Sequence, residues 1–328
     1  MRRIAGYVLI GLGVFFVALA PLARWVVYPK VAVAPLGCTG DSETCKDKIS
    51  LSRSTGTATS LFDPATLSEK SNVPLKSILR VRADVVASTN GHTVYDGFTN
   101  TSSDANPTVN AFSQRIAFDG HTSIMQNCCG TNEDGVPITD VSGLNPFKFP
   151  FGTQQQTYGF FDGTLNKALP MEFKAVENVG GIDVYRFVQT IPPTQFGTLE
   201  VPGSLVGSTD PSVKAPEFYS NVRTVWVEPV TGIVVKGEEQ QKQTLRGSDG
   251  TDKLTLIEAT LGFTPANTAD SVRIAKDGAA QLTLIQTTIP IVAFILGLIL
   301  LGLGLFLAMG RQRTTGAHGH SDEVRTTA

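Results

Sequence analysis

Few residues in this sequence are equipped for chemistry, and the most distinctive are two adjacent thiols. Gln126-Asn127-Cys128-Cys129-Gly130 holds half of the four cysteines in a chain of 328 residues. Bonding neighbours to each other needs Cα atoms about 3.8 Å apart, below the usual ~4.4–6.8 Å of a disulfide, so a Cys128–Cys129 ring is expected to be strained. Pairing of Cys128 and Cys129 with Cys38 and Cys45 is therefore expected, in one of two orders. Either order closes loops of roughly 80–90 residues, each stabilising by about 4 kcal/mol in the chain-entropy account. The competing arrangement joins Cys38 to Cys45 and accepts the vicinal bond. No zinc site is expected, since the spacing lacks paired C-x₂₋₄-C knuckles.

Acid–base chemistry has little to work with. His92 and His121 each follow a glycine and read as loop residues rather than bases. There is no G-x-S-x-G, H-E-x-x-H or Walker-type loop. Glu133-Asp134, Glu238-Glu239, Asp249 and Asp252 are too sparse for calcium and read as solvated faces. If the protein acted on glycans as an enzyme, Glu133, Asp134 and Asp162 are its best candidates. His318-Gly319-His320 offers only two imidazoles on a polar tail, a weak metal site. The expectation is a non-enzyme with no catalytic residue, metal or cofactor. A net charge of -2 without a basic run argues against nucleic acid.

The elements that place these residues begin with the two ends. Ile4 to Ala23 and Leu284 to Met309 carry no charge, and each is long enough to cross a hydrocarbon core of about 30 Å as a helix. Arg2-Arg3 ahead of an apolar run ending in Ala18-Leu19-Ala20 also outlines a cleaved signal peptide. Pro21 after such a site and the length of the run favour an uncleaved span, with the signal peptide as the alternative. Arg311 and Arg313 close the second span as a stop-transfer sequence does. Flanking charge only leans toward both termini in the cytoplasm. An even set of cysteines between the spans, suited to disulfides in an oxidising compartment, places the middle outside. The expected domains are a transmembrane helix at 1–27, an extracytoplasmic β-rich domain at 28–283, a second transmembrane helix at 284–310 and a disordered cytoplasmic tail at 311–328, in the plasma membrane.

Between the spans the texture is β. Strands are expected at 75–86, 93–98, 109–118, 171–176, 184–190, 222–227 and 254–261, and turns at Asn90-Gly91, Val179-Gly180-Gly181 and Ser248-Asp249-Gly250. The clearest hairpin joins Thr224–Val227 to Ile233–Lys236 through a Pro/Gly turn. Helices are expected after Thr268-Ala269-Asp270 toward Leu282, and from Pro64 to Lys70 with Asp63 as cap. The fold class is mainly β (α+β): an antiparallel β-barrel-like domain with a few flanking helices and a transmembrane helix at each end. One aromatic stretch stands out. Phe147, Phe149 and Phe151 alternate with other residues, so an extended segment turns all three rings one way, and Tyr158, Phe160 and Phe161 follow. These six rings either plug the core or line an apolar cavity for lipid.

Two terminal spans around a β-rich middle, the QNCCG element, Tyr158-Gly159-Phe160-Phe161-Asp162 and the Trp226-Val227-Glu228-Pro229-Val230-Thr231-Gly232 hairpin together resemble an actinobacterial family labelled "porin PorA". The resemblance implies an elongated β-barrel flanked by helices, similar to the lipid-binding domain of scavenger-receptor class B proteins. It implies a role in lipomannan and lipoarabinomannan maturation, with a lipid or lipid-linked glycan as partner, and it supplies no catalytic residues. The alternative function is a scaffold or regulator of a membrane mannosyltransferase, with Gly6, Gly13, Gly304 and Ala308 allowing close helix approach. A pore of the outer-membrane type is not expected, because such barrels cross with apolar-faced strands and not with helices.

Overall fold

The computed structural model describes residues 2–36, 50–89 and 91–309. Cys38, Cys45, Asn90 and the tail with His318 and His320 lie outside the described residues. The helices are α1 (Arg2–Leu22), α2 (Tyr28–Val31), α3 (Pro265–Thr283) and α4 (Ile289–Met309). Two compact units emerge: the terminal segments, up to Tyr28 and from Leu284, and a central unit spanning Pro29–Thr283.

In the terminal unit α1 and α4 pack antiparallel, and both helical runs are long and apolar enough to cross a membrane. The contact is built on glycine. A Cβ added to Gly13 would stand 2.8 Å from Leu301 N and 2.9 Å from Gly297 O, and one on Gly304 would stand 2.8 Å from Ile10 N and 2.9 Å from Gly6 O. Backbones this close leave no room for a side chain, which is how small residues hold membrane helices together. Each helix carries a π-helical turn beside a proline: Ala23–Val27 after Pro21, and Leu284–Thr288 before Pro290. Proline removes an N–H donor, and a widened turn re-registers the ladder around the gap.

The central unit is one twelve-stranded antiparallel sheet. Its strands are β1 (Ser50–Asp63), β2 (Ser68–Ala83), β3 (His92–Ser103), β4 (Asn110–Asp119), β5 (Asn132–Glu133), β6 (Val136–Pro137), β7 (Tyr158–Asp162), β8 (Lys167–Val179), β9 (Ile182–Val201), β10 (Val213–Glu228), β11 (Ile233–Arg246) and β12 (Asp252–Phe263). Two meanders, β1 to β6 and β7 to β12, join through the β1–β12 pair, with β6 and β7 at the ends of the sheet. The sheet curls into a half-barrel that brings β4 and β7 toward each other. Isolated bridges run from Phe118 of β4 to Met125, from Ile124 to Leu144, and from Leu144 to Phe160 of β7. The barrel-like expectation holds, with the seam closed at one level by these single bridges.

Every strand expected from alternation overlaps a strand of the sheet, with 75–86 running three residues past the end of β2 and 109–118 starting one residue before β4, and the 224–236 hairpin is the β10–β11 connection. Gly232 sits there at φ +72°, and a Cβ on it would fall 2.1 Å from Phe149 O, so both the turn and the packing demand glycine. The helix expected from Pro64 to Lys70 is instead the β1–β2 hairpin turn and the start of β2. Asp63 accepts the Ala65 N–H and pairs with Lys70, and Leu67 takes φ +50°, a closure that a helix does not need. β1 itself escapes sequence reading because Ser50 to Ser60 is largely serine and threonine, without an apolar alternation. α3 begins earlier than expected, with Thr264 Oγ1 accepting the Asn267 N–H.

Inner and outer faces are distinct. On the outer face α3 covers Val184, Trp226 and Val235 with Val272 and Ala275. Elsewhere the exposed sides of the strands carry ion pairs, among them Arg115 with Asp96, Glu172 with Lys174, Arg186 with Glu177 and Lys242 with Glu258. Four apolar clusters line the inner face: Tyr95, Ile116, Phe118 and Phe161; Phe149, Phe160, Met171, Phe187, Val225 and Val227; Ala58, Leu75, Ile257, Ala259 and Leu261; and Ala215, Leu245 and Leu254.

Candidate functional site

Following β10 along its inward side gives Ala215, Glu217, Tyr219, Asn221, Arg223, Val225 and Val227. Both ends are apolar and the middle is not. Directly paired residues share a face, so Arg223 stands between Gln189 of β9 and Glu239 of β11, and Asn221 opposes Gln241. Asp162, at the end of β7, reaches the same place. A polar belt thus crosses the inside of the sheet between apolar clusters.

The Arg223 guanidinium holds the belt together. It donates to Gln189 Oε1 at 2.6 Å, to Asp162 Oδ2 at 3.2 Å and to Glu239, and lies 5.8 Å over the Phe160 ring. Gln189 in turn donates to Phe160 O at 3.0 Å. Tyr219 donates its hydroxyl to Asp162 Oδ2 at 3.2 Å, and Asn221 Nδ2 donates to the Tyr219 oxygen at 2.9 Å. Burial alone would lower the Arg223 pKa, but the Glu239 and Asp162 carboxylates outweigh it and hold the guanidinium above its ordinary value. Burial also raises the Tyr219 phenol. Across the seam Glu133 accepts from Gln114 Nε2 at 3.0 Å, and burial, with help from Asp134 and Asp162, raises its carboxyl above the usual range.

The belt corrects the reading of two carboxylates as solvated faces. Glu133 is half-buried against Gln114 and Glu239 turns inward onto Arg223, whereas Asp249 and Asp252 do lie exposed in ion pairs with Lys253 and Arg246. Arg223, Gln189, Asn221 and Tyr219 were not legible as a site. Their one signal is that polar residues occupy the positions of β10 in phase with apolar ones at both ends.

The six aromatic residues do not share one face. Asn145 Oδ1 accepts the N–H groups of Phe147 at 2.9 Å and Lys148 at 3.1 Å, so the segment bends instead of extending and the two-residue alternation no longer applies. Phe147 packs beside Tyr95, with ring centroids 6.0 Å apart. Phe149 lies at the centre of a ring cluster with Phe187 at 4.9 Å, Phe160 at 5.6 Å and Tyr158 at 5.7 Å. Phe151 stacks on His121 at 5.9 Å. Phe161 joins the Ile116 and Phe118 cluster. Phe149, Phe160 and Phe161 are fully packed, while half-buried apolar and hydroxyl residues on the inner face lie elsewhere, at Leu79, Phe112, Ser52, Ser54 and Thr99.

Lys148 is the other buried charge. Its Nζ donates to Phe149 O at 2.6 Å and Ser123 Oγ at 3.0 Å and sits 4.1 Å over the Phe151 ring. A serine–lysine contact is the beginning of a nucleophile, but here Lys148 donates to the Ser123 hydroxyl, which itself donates to Phe149 O, so the lysine is not placed as its base. Burial pulls the Lys148 pKa down to about 7, with Asp119 opposing. The unfolded chain then binds more protons than the folded one between about pH 7 and pH 10, so stability rises with pH in that window. Replacing Lys148 with methionine should raise the melting temperature most at and below neutral pH. The gain should shrink by up to about 1.4 kcal/mol per pH unit above it, as thermal melts across that range would register.

Cys128 and Cys129 are bonded to each other, against the expected pairing with Cys38 and Cys45. The chain makes this possible by reversing at once: Cys129 takes φ +60° and Gly130 φ +76°, while Arg115 Nε donates to Cys129 O at 2.9 Å and Thr131 Oγ1 to Cys128 O at 2.9 Å. The long cross-domain staples therefore give way, and Cys38 and Cys45 lie outside the described residues. Non-reducing peptide mapping should recover Cys128 and Cys129 in one fragment joined to no other; a fragment linking the 126–131 segment to another peptide would contradict the vicinal bond. Among the described residues no group of three His, Cys, Asp or Glu could hold a metal.

The family described as Porin PorA matches residues 5–306. A Porin PorA of Corynebacterium resistens is 26% identical over 280 residues, covering 62% of this chain and 68% of that protein. A Porin PorA of Corynebacterium amycolatum is 24% identical over 378 residues, covering 93% of this chain and 98% of that protein.

Proposed function

The chain belongs to the Porin PorA family, and on that premise we propose that it is a membrane-anchored, non-enzymatic protein whose curled sheet holds a lipid or lipid-linked glycan during cell-envelope lipoglycan assembly. Both termini lie in the cytoplasm in this reading, with the central unit outside the plasma membrane. The observation that carries it is the inner face: a charged and amide-bearing belt flanked by apolar clusters, with Leu79 and Phe112 half-buried elsewhere on the same face, matches a molecule with a polar head and a greasy body. The vicinal disulfide supports an oxidising compartment, and the glycine-to-glycine fit of α1 on α4 supports retention of the N-terminal helix.

The family description suggests a channel-type protein, and strands can form a channel only if they face lipid. A lipid-facing barrel needs an apolar outer band, whereas the outer sides here carry Arg115, Asp96, Glu172, Lys174, Lys242 and Glu258. We therefore read the sheet as a holder rather than a pore, with helices as the only spans. Full-length protein purified in detergent should carry lipid visible by native mass spectrometry and move it between vesicles, without step conductance in planar bilayers. Empty protein that transfers nothing, or stepwise conductance, would overturn the reading.

The scaffold reading retains one supporting observation. Gly6, Gly13, Gly297 and Gly304 are spent on the α1–α4 contact, but added Cβ atoms on Gly11 and Gly302 meet nothing within 4 Å, leaving small residues open to another helix such as that of a mannosyltransferase. Exchanging both spans for an unrelated helical hairpin should abolish a scaffold and spare a lipid carrier.

A further inference from the structure

Asn221 is 1% exposed, and its Oδ1 has no hydrogen-bond partner while its Nδ2 is engaged by Tyr219. An orphaned acceptor buried this deeply is destabilising unless a donor reaches it. It lies within the belt, one inward position along β10 from Arg223 and opposite Gln241. The belt is not sealed: the Glu239 side chain is 37% exposed and that of Arg223 15%.

The charges narrow what fits. Arg223 is already matched by Asp162 and Glu239, with Glu133 nearby across the seam, so a phosphate or other anion would meet more carboxylate than cation. A simple acyl chain would leave the Asn221 Oδ1 without a donor and offer nothing to Glu239 beyond the Arg223 it already holds. A hydroxyl group both donates and accepts. Several on one ring suit an array of carboxylate, amide and guanidinium groups, and the edge-to-face rings of Phe196 and Tyr219, 6.3 Å apart, offer an apolar flank for the ring's C–H face.

We propose that the inner belt formed by Asn221, Arg223, Glu239 and Asp162 is a binding site for the hydroxyl groups of a neutral sugar headgroup, the apolar clusters beside it taking the attached chains. This deepens the lipid-holding reading and rests on it.

The test compares full-length protein in nanodiscs for uptake of three fluorescent probes with identical acyl chains: monohexosyl diacylglycerol, plain diacylglycerol and phosphatidylglycerol. The sugar-bearing probe should bind about tenfold tighter than plain diacylglycerol, the worth of one or two hydrogen bonds. Asn221→Leu and, as a shape-conserving partner, Glu239→Gln should each erase most of that preference, read as the ratio of the two affinities in the same variant, with melting temperatures recorded to confirm folding. Equal binding of all three probes, a preference for the anionic one, or a sugar preference that survives both variants would overturn the sugar site while leaving the lipid-holding reading standing. Failure to bind any probe would overturn both.

Discussion

Replacing Arg223 with methionine is expected to destabilise the central unit by about 3–5 kcal/mol, the cost of leaving a buried ion-pair partner uncompensated. Asp162 is 1% exposed and receives the guanidinium together with Tyr219, while Gln189, wholly buried, loses the donor to its Oε1. Methionine fills the volume but supplies no charge and no donor. Adding Asp162→Asn should restore part of the loss at neutral pH, which thermal or urea unfolding measures. A loss under about 1 kcal/mol, such as the exposed Lys76–Asp104 pair should show on Lys76→Met, would mean that the belt is solvated and no part of the core.

The second large effect is expected in the helix pair. Gly13→Leu places a side chain where a Cβ alone would lie 2.8 Å from Leu301 N and 2.9 Å from Gly297 O, and backbone atoms cannot step aside as a flexible side chain can. Overpacking of this kind costs about 1–3 kcal/mol or separates the elements altogether. The expected result is loss of the α1–α4 contact, seen as a broadened distance distribution between spin labels on the two helices. Gly302→Leu is the control, since a Cβ there meets nothing within 4 Å, and it should leave the distribution narrow. An unchanged distribution in Gly13→Leu would show that the two helices are not held by their glycines.

Much of the architecture was legible because it rests on local pattern. Runs without charge announced α1 and α4, alternation announced the stretches that became β2, β3, β4, β8, β9, β10 and β12, and a Pro/Gly turn announced the β10–β11 hairpin. Where pattern failed, a local hydrogen bond or a missing apolar alternation was responsible. Asn145 bent the Phe147–Phe151 segment out of its alternation, Asp63 closed a turn where a helix was expected, and the serine and threonine of β1 offered no periodic contrast. The vicinal disulfide was discounted because separation alone was weighed, whereas a positive φ at Cys129 and at Gly130 turns the chain around it.

The sequence by itself determined that two apolar helices bracket a β-rich body and that no familiar catalytic motif is present, since such features depend on residues within a few positions of one another. Only the tertiary structure decided which side of each strand faces inward. A strand presents both faces equally, and Asp162, Gln189, Arg223 and Glu239 come together solely because antiparallel register and the curl of the sheet carry residues from four strands to one level. The glycines of the helix pair follow the same logic: their spacing is visible in the chain, but their partners are chosen by packing, because close backbone approach rewards whichever small residues the antiparallel pairing brings opposite.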